Sequence, residues 1–327
     1  MKYHYCTLFD KNYLPHCLSL YQSLEKNVDS FVLYCFCMDN ESYDFLSKNN
    51  REKIKLISSN ELEIYYPELI KAKSNRSIVE YYFTCTPSIC SFIFEKYDIG
   101  LLTYLDADLY FFSSPKLIYQ ELKNHSVGII EHRFSFWGKV LYEKYGKFNV
   151  GWISFKNNHI GRKCLEDWRQ DCLDWCYDKL ENGKFADQKY LDNWPLKYPQ
   201  VRIIQNLGAN LAPWNIGNYK IIKEKKNNLI KVNNESLIFY HFASFKQIQI
   251  NQYKTSVSLY FTYLTNPIKT LIYLPYLSAL IKFNKQIGIA FNIKNRVDKK
   301  DNNFLKNLKT IINNFREFIF NDIIKIN

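Results

Sequence analysis

The first hundred residues switch repeatedly between two hydrophobic periods. Tyr3–Phe9 is an apolar and aromatic run of strand length. It gives way to apolar positions at Leu14, Cys17, Leu18, Tyr21 and Leu24, the three-to-four spacing of a helix. Phe31–Met38 contains no polar side chain apart from a tyrosine hydroxyl, as expected for a strand covered on both faces. Ser42–Lys48 predicts a short helix and Ile54–Ile57 a third strand. Ser77–Tyr97 predicts another helix, broken or kinked before Pro87, because proline restricts the residue before it and has no N–H to give. Leu101–Leu105 reads as a short buried strand that runs into Asp106-Ala107-Asp108. Strands alternating with helices predict an α/β fold with a mixed, mostly parallel sheet.

The second half is less regular. Strands are expected at Val127–Ile130, Asn149–Phe155, Val201–Ile204 and Leu237–Tyr240, and a helix at Ile160–Leu180. Composition changes near residue 246. We expect a main domain over residues 1–245 and a basic, mainly helical extension over 246–327.

Charge sharpens that division. The chain carries a formal charge of +12. Residues 246–327 hold 13 Lys and Arg against 4 Asp and Glu, net +9, and residues 1–245 hold 31 against 28, net +3. In Phe304–Ile324 apolar residues alternate with basic ones at helical spacing. Such a helix either caps the fold with solvated lysines or rests on an anionic bilayer surface. A nucleic-acid-binding reading is less consistent with charge confined to one segment and with aromatics set in apolar runs. No stretch approaches about 18 apolar residues, so no spanning helix is expected. The N-terminus opens on polar aromatics without an apolar signal core. The nine cysteines form no C-x-x-C pair and fall mostly in apolar runs, as reduced buried thiols would. A cytoplasmic protein is expected, with contact to the inner membrane face as an option.

The first of the ten glycines is Gly100, which excludes an N-terminal glycine-rich phosphate loop. The candidate chemistry lies instead in Asp106-Ala107-Asp108, the only Asp-x-Asp in the chain. Two carboxylates at the carboxyl end of a strand, where open α/β sheets bind ligands, can share a hard divalent cation.

In order and spacing, several segments together resemble the GT-A nucleotide-sugar glycosyltransferases, in particular bacterial relatives of glycosyltransferase family 8. They are Cys6-Thr7-Leu8-Phe9 with Tyr13-Leu14, Tyr104-Leu105-Asp106-Ala107-Asp108, Asn149-Val150-Gly151, Ala186-Asp187-Gln188 and His241-Phe242. The resemblance runs from Thr7 to about Phe245. It implies a GT-A fold and a metal site of Asp106, Asp108 and His241 for Mn²⁺ or Mg²⁺. It implies a nucleoside diphosphate sugar donor, most readily a UDP-sugar, and a glycan or lipid-linked acceptor used in surface polysaccharide synthesis. Configuration would be retained, with an inverting GT-A enzyme as the alternative. A non-catalytic scaffold or nucleic-acid-binding protein is the alternative of a different class. Thr7 and Asp39 are candidates for the nucleoside, Arg76 for the diphosphate, Asn149 and Gly151 for the donor sugar, and Asp187 and Gln188 for the reacting centre. The family's Lys-Pro-Trp after the late histidine is replaced here by Ala243-Ser244-Phe245-Lys246, which leaves Arg76 or lysines of the extension for the phosphates.

Overall fold

The computed structural model describes residues 2–226, 228–288 and 304–326. The chain opens with β1 (Tyr3–Phe9), α1 (Leu14–Asn27), β2 (Phe31–Cys37), α2 (Asn40–Lys48), β3 (Ile54–Ser58), α3 (Ser59–Tyr65), α4 (Glu68–Asn75) and α5 (Ile78–Lys96). There follow β4 (Leu101–Leu105), β5 (Leu109–Phe111), α6 (Lys116–Glu121), β6 (Val127–Glu131), α7 (Leu141–Tyr145), β7 (Phe148–Lys156), α8 (His159–Asp174), α9 (Trp194–Lys197) and β8 (Val201–Ile203). The later strands are β9 (Ile221–Lys223), β10 (Ile230–Val232), β11 (Glu235–Ser236), β12 (Phe239–His241), β13 (Lys246–Gln249) and β14 (Gln252–Lys254). The chain ends in α10 (Asn266–Ile268), α11 (Leu274–Ile287), α12 (Phe304–Ile319) and β15 (Ile323–Lys325).

Seven strands form the central sheet, in the order β3-β2-β1-β4-β7-β6-β8. The pairs β1–β2, β2–β3, β1–β4 and β6–β8 are parallel, and β7 runs antiparallel to both its neighbours. The alternation of side chains across the pleat explains the all-apolar β2. Leu33, Cys35 and Cys37 enter the core on one face, whereas Val32, Tyr34 and Phe36 enter the core on the other. The first face is covered by α1 and by the last quarter of the chain, which contributes Tyr253, Val257, Tyr273, Tyr276 and Phe283 to the same cluster as Tyr5 and Leu105. The second face is covered by α5 and α8. All nine cysteines are buried and unbridged.

Besides elements the pattern did not single out, among them α3, α4 and the strands β13, β14 and β15 within the extension expected to be mainly helical, three predicted elements depart from it. First, α5 is continuous through Pro87 rather than broken before it. A proline inside a helix costs about 3 kcal/mol. Here the helix is held by a capping box at Ser77 and Glu80 and by an unbroken buried run from Thr84 to Phe94. Second, α8 stops at Asp174 instead of reaching Leu180. Its last carbonyls are satisfied from outside: Tyr190 Oη donates to the carbonyls of Asp171 (3.1 Å) and Trp175 (2.6 Å). Arg76 donates to that of Leu173 at 2.6 Å, a cation placed at a helix C-terminus. Third, the late strand is shifted, so that His241 is its last residue. The lysine-rich stretch 289–303 lies outside the described residues.

Candidate active site

The site is assembled where β4 ends. Asp106 leaves the strand with its backbone N–H bonded to the Gly151 carbonyl (3.1 Å), and the Leu109 N–H closes a turn onto the Asp106 carbonyl (3.2 Å). That turn projects Asp106 and Asp108 from a fixed backbone and restarts the chain as β5. Antiparallel pairing of β5 with β12 sets His241 opposite Leu109. His241 Nε2 thereby comes to 3.1 Å from Asp108 Oδ1 and 3.5 Å from Asp106 Oδ2. One ligand atom from each of the three residues lies within 4.8 Å of the others, the only such grouping of potential metal ligands among the described residues.

Neighbours hold these side chains in orientation. Gly151 N–H donates to Asn149 Oδ1 at 3.1 Å, which identifies that atom as the amide oxygen. The same oxygen lies 3.2 Å from His241 Nδ1, so Nδ1 carries the proton and Nε2 faces the carboxylates. Gly151 is required by space: a Cβ there would stand 2.7 Å from both His241 Nδ1 and Asn149 Oδ1. Tyr104 Oη donates to Asp106 Oδ1 at 2.7 Å. Burial opposes a charge on His241, but Asp108, and Asp106 after it, outweigh burial and raise its pKa above the ordinary value. Trp214 packs edge-on against the His241 ring at 5.2 Å.

A cavity of about 530 Å³ opens over this cluster. Asp106, Asp108, Asn149, Asp187, Gln188 and His241 all line it. Asp187 is 4% exposed. Burial first, and then the negative charge of Asp106, push its pKa up to about 8. It is not a helix cap: the short 3₁₀ turn Lys189–Asn193 begins after Gln188 and has no side-chain cap. Its carbonyl instead accepts from Trp168 Nε1 at 2.8 Å, which ties the Asp187-Gln188 pair to α8.

Four predicted residues lie outside the lining: Gly151, which makes room for His241 rather than facing the cavity, and three others. Thr7 is fully buried within β1, and its hydroxyl has no hydrogen-bond partner. Asp39 caps α2 through Ser42 N–H (2.8 Å) and also accepts from Lys11 N–H (2.7 Å). Arg76 donates to Thr84 Oγ1 and the Leu173 carbonyl and covers the Tyr177 ring. Its guanidinium is therefore occupied between α5 and the end of α8. The lining also includes residues that sequence reasoning did not single out: Asp10, Tyr82, Phe83 and Thr86. The last three fall at helical spacing with Val79 on one face of α5, a readable signal had the site been known to lie against that helix. No Lys or Arg is among the described lining residues, whereas four aspartates are.

The strand order and the placement of the Asp-Ala-Asp turn define a GT-A fold. The crystal structure of the galactosyltransferase LgtC in complex with donor and acceptor sugar analogues superposes over 85% of this chain and 95% of that one, with a TM-score of 0.54 and 13% identity. That likeness is one of fold. No protein-family model matches the sequence. The chain belongs to one family with two proteins of Bacillus subtilis (strain 168), the uncharacterized proteins YfnD and YfnF. It is 30% identical to YfnD over 292 residues, which is 88% of this chain and 92% of YfnD. It is 31% identical to YfnF over 257 residues, 76% of this chain and 84% of YfnF.

Proposed function

We propose that the protein is a metal-dependent glycosyltransferase. It would move a sugar from a nucleoside diphosphate donor, most readily a UDP-sugar, to a glycan or lipid-linked acceptor in surface polysaccharide synthesis. One observation carries this reading: Asp106, Asp108 and His241 converge at the end of β4 in a GT-A fold, inside a cleft lined by four aspartates and by no described Lys or Arg. Such a cleft repels a bare diphosphate. A bound cation reverses its sign. Two carboxylates and an imidazole with Nε2 directed inward suit Mn²⁺, or Mg²⁺ with added waters. When bound, that ion supplies charge compensation for the departing diphosphate.

The chain's own groups do the rest. Tyr104 and Asn149 hold the ligand atoms in place, and the Asn149 amide nitrogen is available to a donor-sugar hydroxyl. Burial, and in the metal-free site the charge of Asp106, favour the protonated form of Asp187, in which it can donate a hydrogen bond to the sugar while Gln188 fixes its orientation. In the retaining reaction the acceptor oxygen bonds to the anomeric carbon on the face from which the diphosphate departs. The C–O bond to phosphate breaks with its electron pair going to the diphosphate, and the acceptor proton passes to that departing oxygen. The test is UDP-sugar hydrolysis and transfer, with a thermal-shift panel of nucleotide sugars with and without Mn²⁺. Asp108→Asn should lower turnover by roughly a hundredfold or more and abolish the metal-dependent shift, while the fold is kept. Full activity in that variant would remove the metal-site assignment.

The acceptor would lie at an anionic membrane surface on the cytoplasmic side. In support, the net +9 of residues 246–327 is joined by α12, which leaves Ile312, Phe315, Phe318 and Ile319 exposed. Among the described residues no helix is long and apolar enough to cross a membrane.

A further inference from the structure

A second and larger cleft, of about 840 Å³, opens between Ser135–Phe136, residues 216–222 and residues 260–268. It shares no lining residue with the cavity over the metal cluster. The two are close nevertheless. The Trp214 ring, 5.2 Å from His241 on one side, is 6.4 Å from Tyr260 on the other, and Tyr260 lines the second cleft. A single aromatic layer therefore stands between the ligand cluster and this cleft.

Its lining is unusual for this molecule, which otherwise buries most of its rings. Five described Phe and Tyr side chains are more than half exposed, and three of them, Phe136 (70%), Phe261 (58%) and Tyr263 (53%), line this concavity. Tyr219 adds a fourth, partly covered ring. The lining also carries the neutral side chains of Asn218, whose amide donates to the Arg133 carbonyl at 2.8 Å, and of Thr265, which caps α10, both exposed. Lys220 is the one charged residue among the described lining, Lys139 and Arg133 stand over the Phe136 and Tyr219 rings respectively, and no carboxylate is present. A nucleotide or phosphate site would need several donors or cations, and the metal-cluster cavity is built on the opposite chemistry, carboxylates without cations. Flat rings together with hydroxyl and amide groups match the apolar faces and hydroxyl rims of neutral sugars. A flat lipid surface would instead meet convex apolar residues such as those on α12.

We propose that this cleft is an acceptor subsite, which holds neutral sugar units of an oligosaccharide whose reactive end lies at the metal cluster. The proposal rests on the glycosyltransferase reading for its occupant. The probe is a printed array of defined short and long neutral oligosaccharides, presented to the full chain in excess EDTA. Metal-dependent UDP-sugar hydrolysis is measured on the same preparations. The wild-type protein should retain longer oligosaccharides. The Phe136→Ala/Tyr263→Ala double variant should retain them roughly tenfold less. Both side chains are exposed, so hydrolysis and melting temperature should be unchanged. Hydrolysis without any glycan retention by the wild type, or retention that the double variant leaves intact, overturns the subsite. So does a double variant that loses anionic-vesicle binding but keeps glycan binding, which would assign the cleft to lipid. Glycan retention that depends on the cleft, with no hydrolysis of any nucleotide sugar, keeps the subsite and overturns the glycosyltransferase reading instead.

Discussion

At the residue scale the site is governed by how little room it leaves. Gly151 sits beneath His241, and a methyl group there would enter the space of both the imidazole and the Asn149 oxygen at 2.7 Å. Gly151→Ala should therefore tilt His241 off its carboxylate partners. We expect Mn²⁺ affinity, read by isothermal titration, to fall about tenfold or more while circular dichroism is unchanged. Affinity equal to wild type would show that the ring can give way. Asp187 makes a different prediction. Its folded pKa, pushed up to about 8, exceeds the ordinary carboxylate value of about 4 that it has when unfolded. Between those values the folded metal-free protein binds more protons than the unfolded chain, so stability must fall as pH rises through that window. The slope from this one group is about 1.4 kcal/mol per pH unit. Asp187→Asn removes the ionisation, and urea titrations from pH 5 to pH 8 should show a flatter dependence and a more stable variant at the alkaline end. An unchanged slope would mean that Asp187 is charged in the native state.

At the element scale the decisive unit is the small β5–β12 pair, because it alone brings the third ligand to the first two. Phe239 anchors it, stacked on Trp152 at 5.3 Å and tilted against Phe111 at 5.4 Å. Phe239→Ala should cost about 3–5 kcal/mol in urea unfolding. It should also weaken Mn²⁺ binding, although residue 239 is not one of the three candidate ligands; a stability loss with unimpaired metal binding would show that β12 is held without it. The legibility of the sequence also divides along elements. The central strands and α1 announce themselves, since period and burial agree in them. Asp106, Asp108 and His241 were legible as a set through their order along the chain. Arg76 and Asp39 were not, because a helix-end arginine and a post-strand aspartate look alike whether they face a ligand or cap a neighbouring helix. The hydrogen bonds of Arg76 to the distant Leu173 carbonyl, and of Asp39 to Lys11 N–H, depend on tertiary proximity that no local pattern encodes, whereas the cap of Asp39 on Ser42 is local. The continuity of α5 through Pro87 was illegible for a related reason: burial against the sheet outweighs local propensity.

At the scale of the whole molecule the last quarter of the chain has two faces. Inward, it is core. Tyr276 of α11 stacks on Phe242 with ring centres 3.7 Å apart and its hydroxyl lies 2.5 Å from His16 Nδ1, so the segment braces the residue next to His241. Removing residues 265–327 would strip away that core, so the membrane hypothesis calls for point substitutions. Outward, Phe315 and Phe318 of α12 are 64% and 83% exposed on a strongly basic segment. Phe315→Asp/Phe318→Asp should lower co-sedimentation with vesicles containing phosphatidylglycerol roughly tenfold and leave neutral vesicles unaffected. Equal binding by the variant would make these residues ordinary surface. The distance along the chain between the ligands has a consequence for biosynthesis. Asp106 and Asp108 emerge from the ribosome long before His241, and the helix that braces its neighbour Phe242 emerges later still. A nascent or truncated chain thus carries a pair of carboxylates with nothing to complete them. Under the proposed function, metal capture would wait until His241 has joined the two carboxylates, so the order of synthesis would keep copies that lack His241 from breaking down donor.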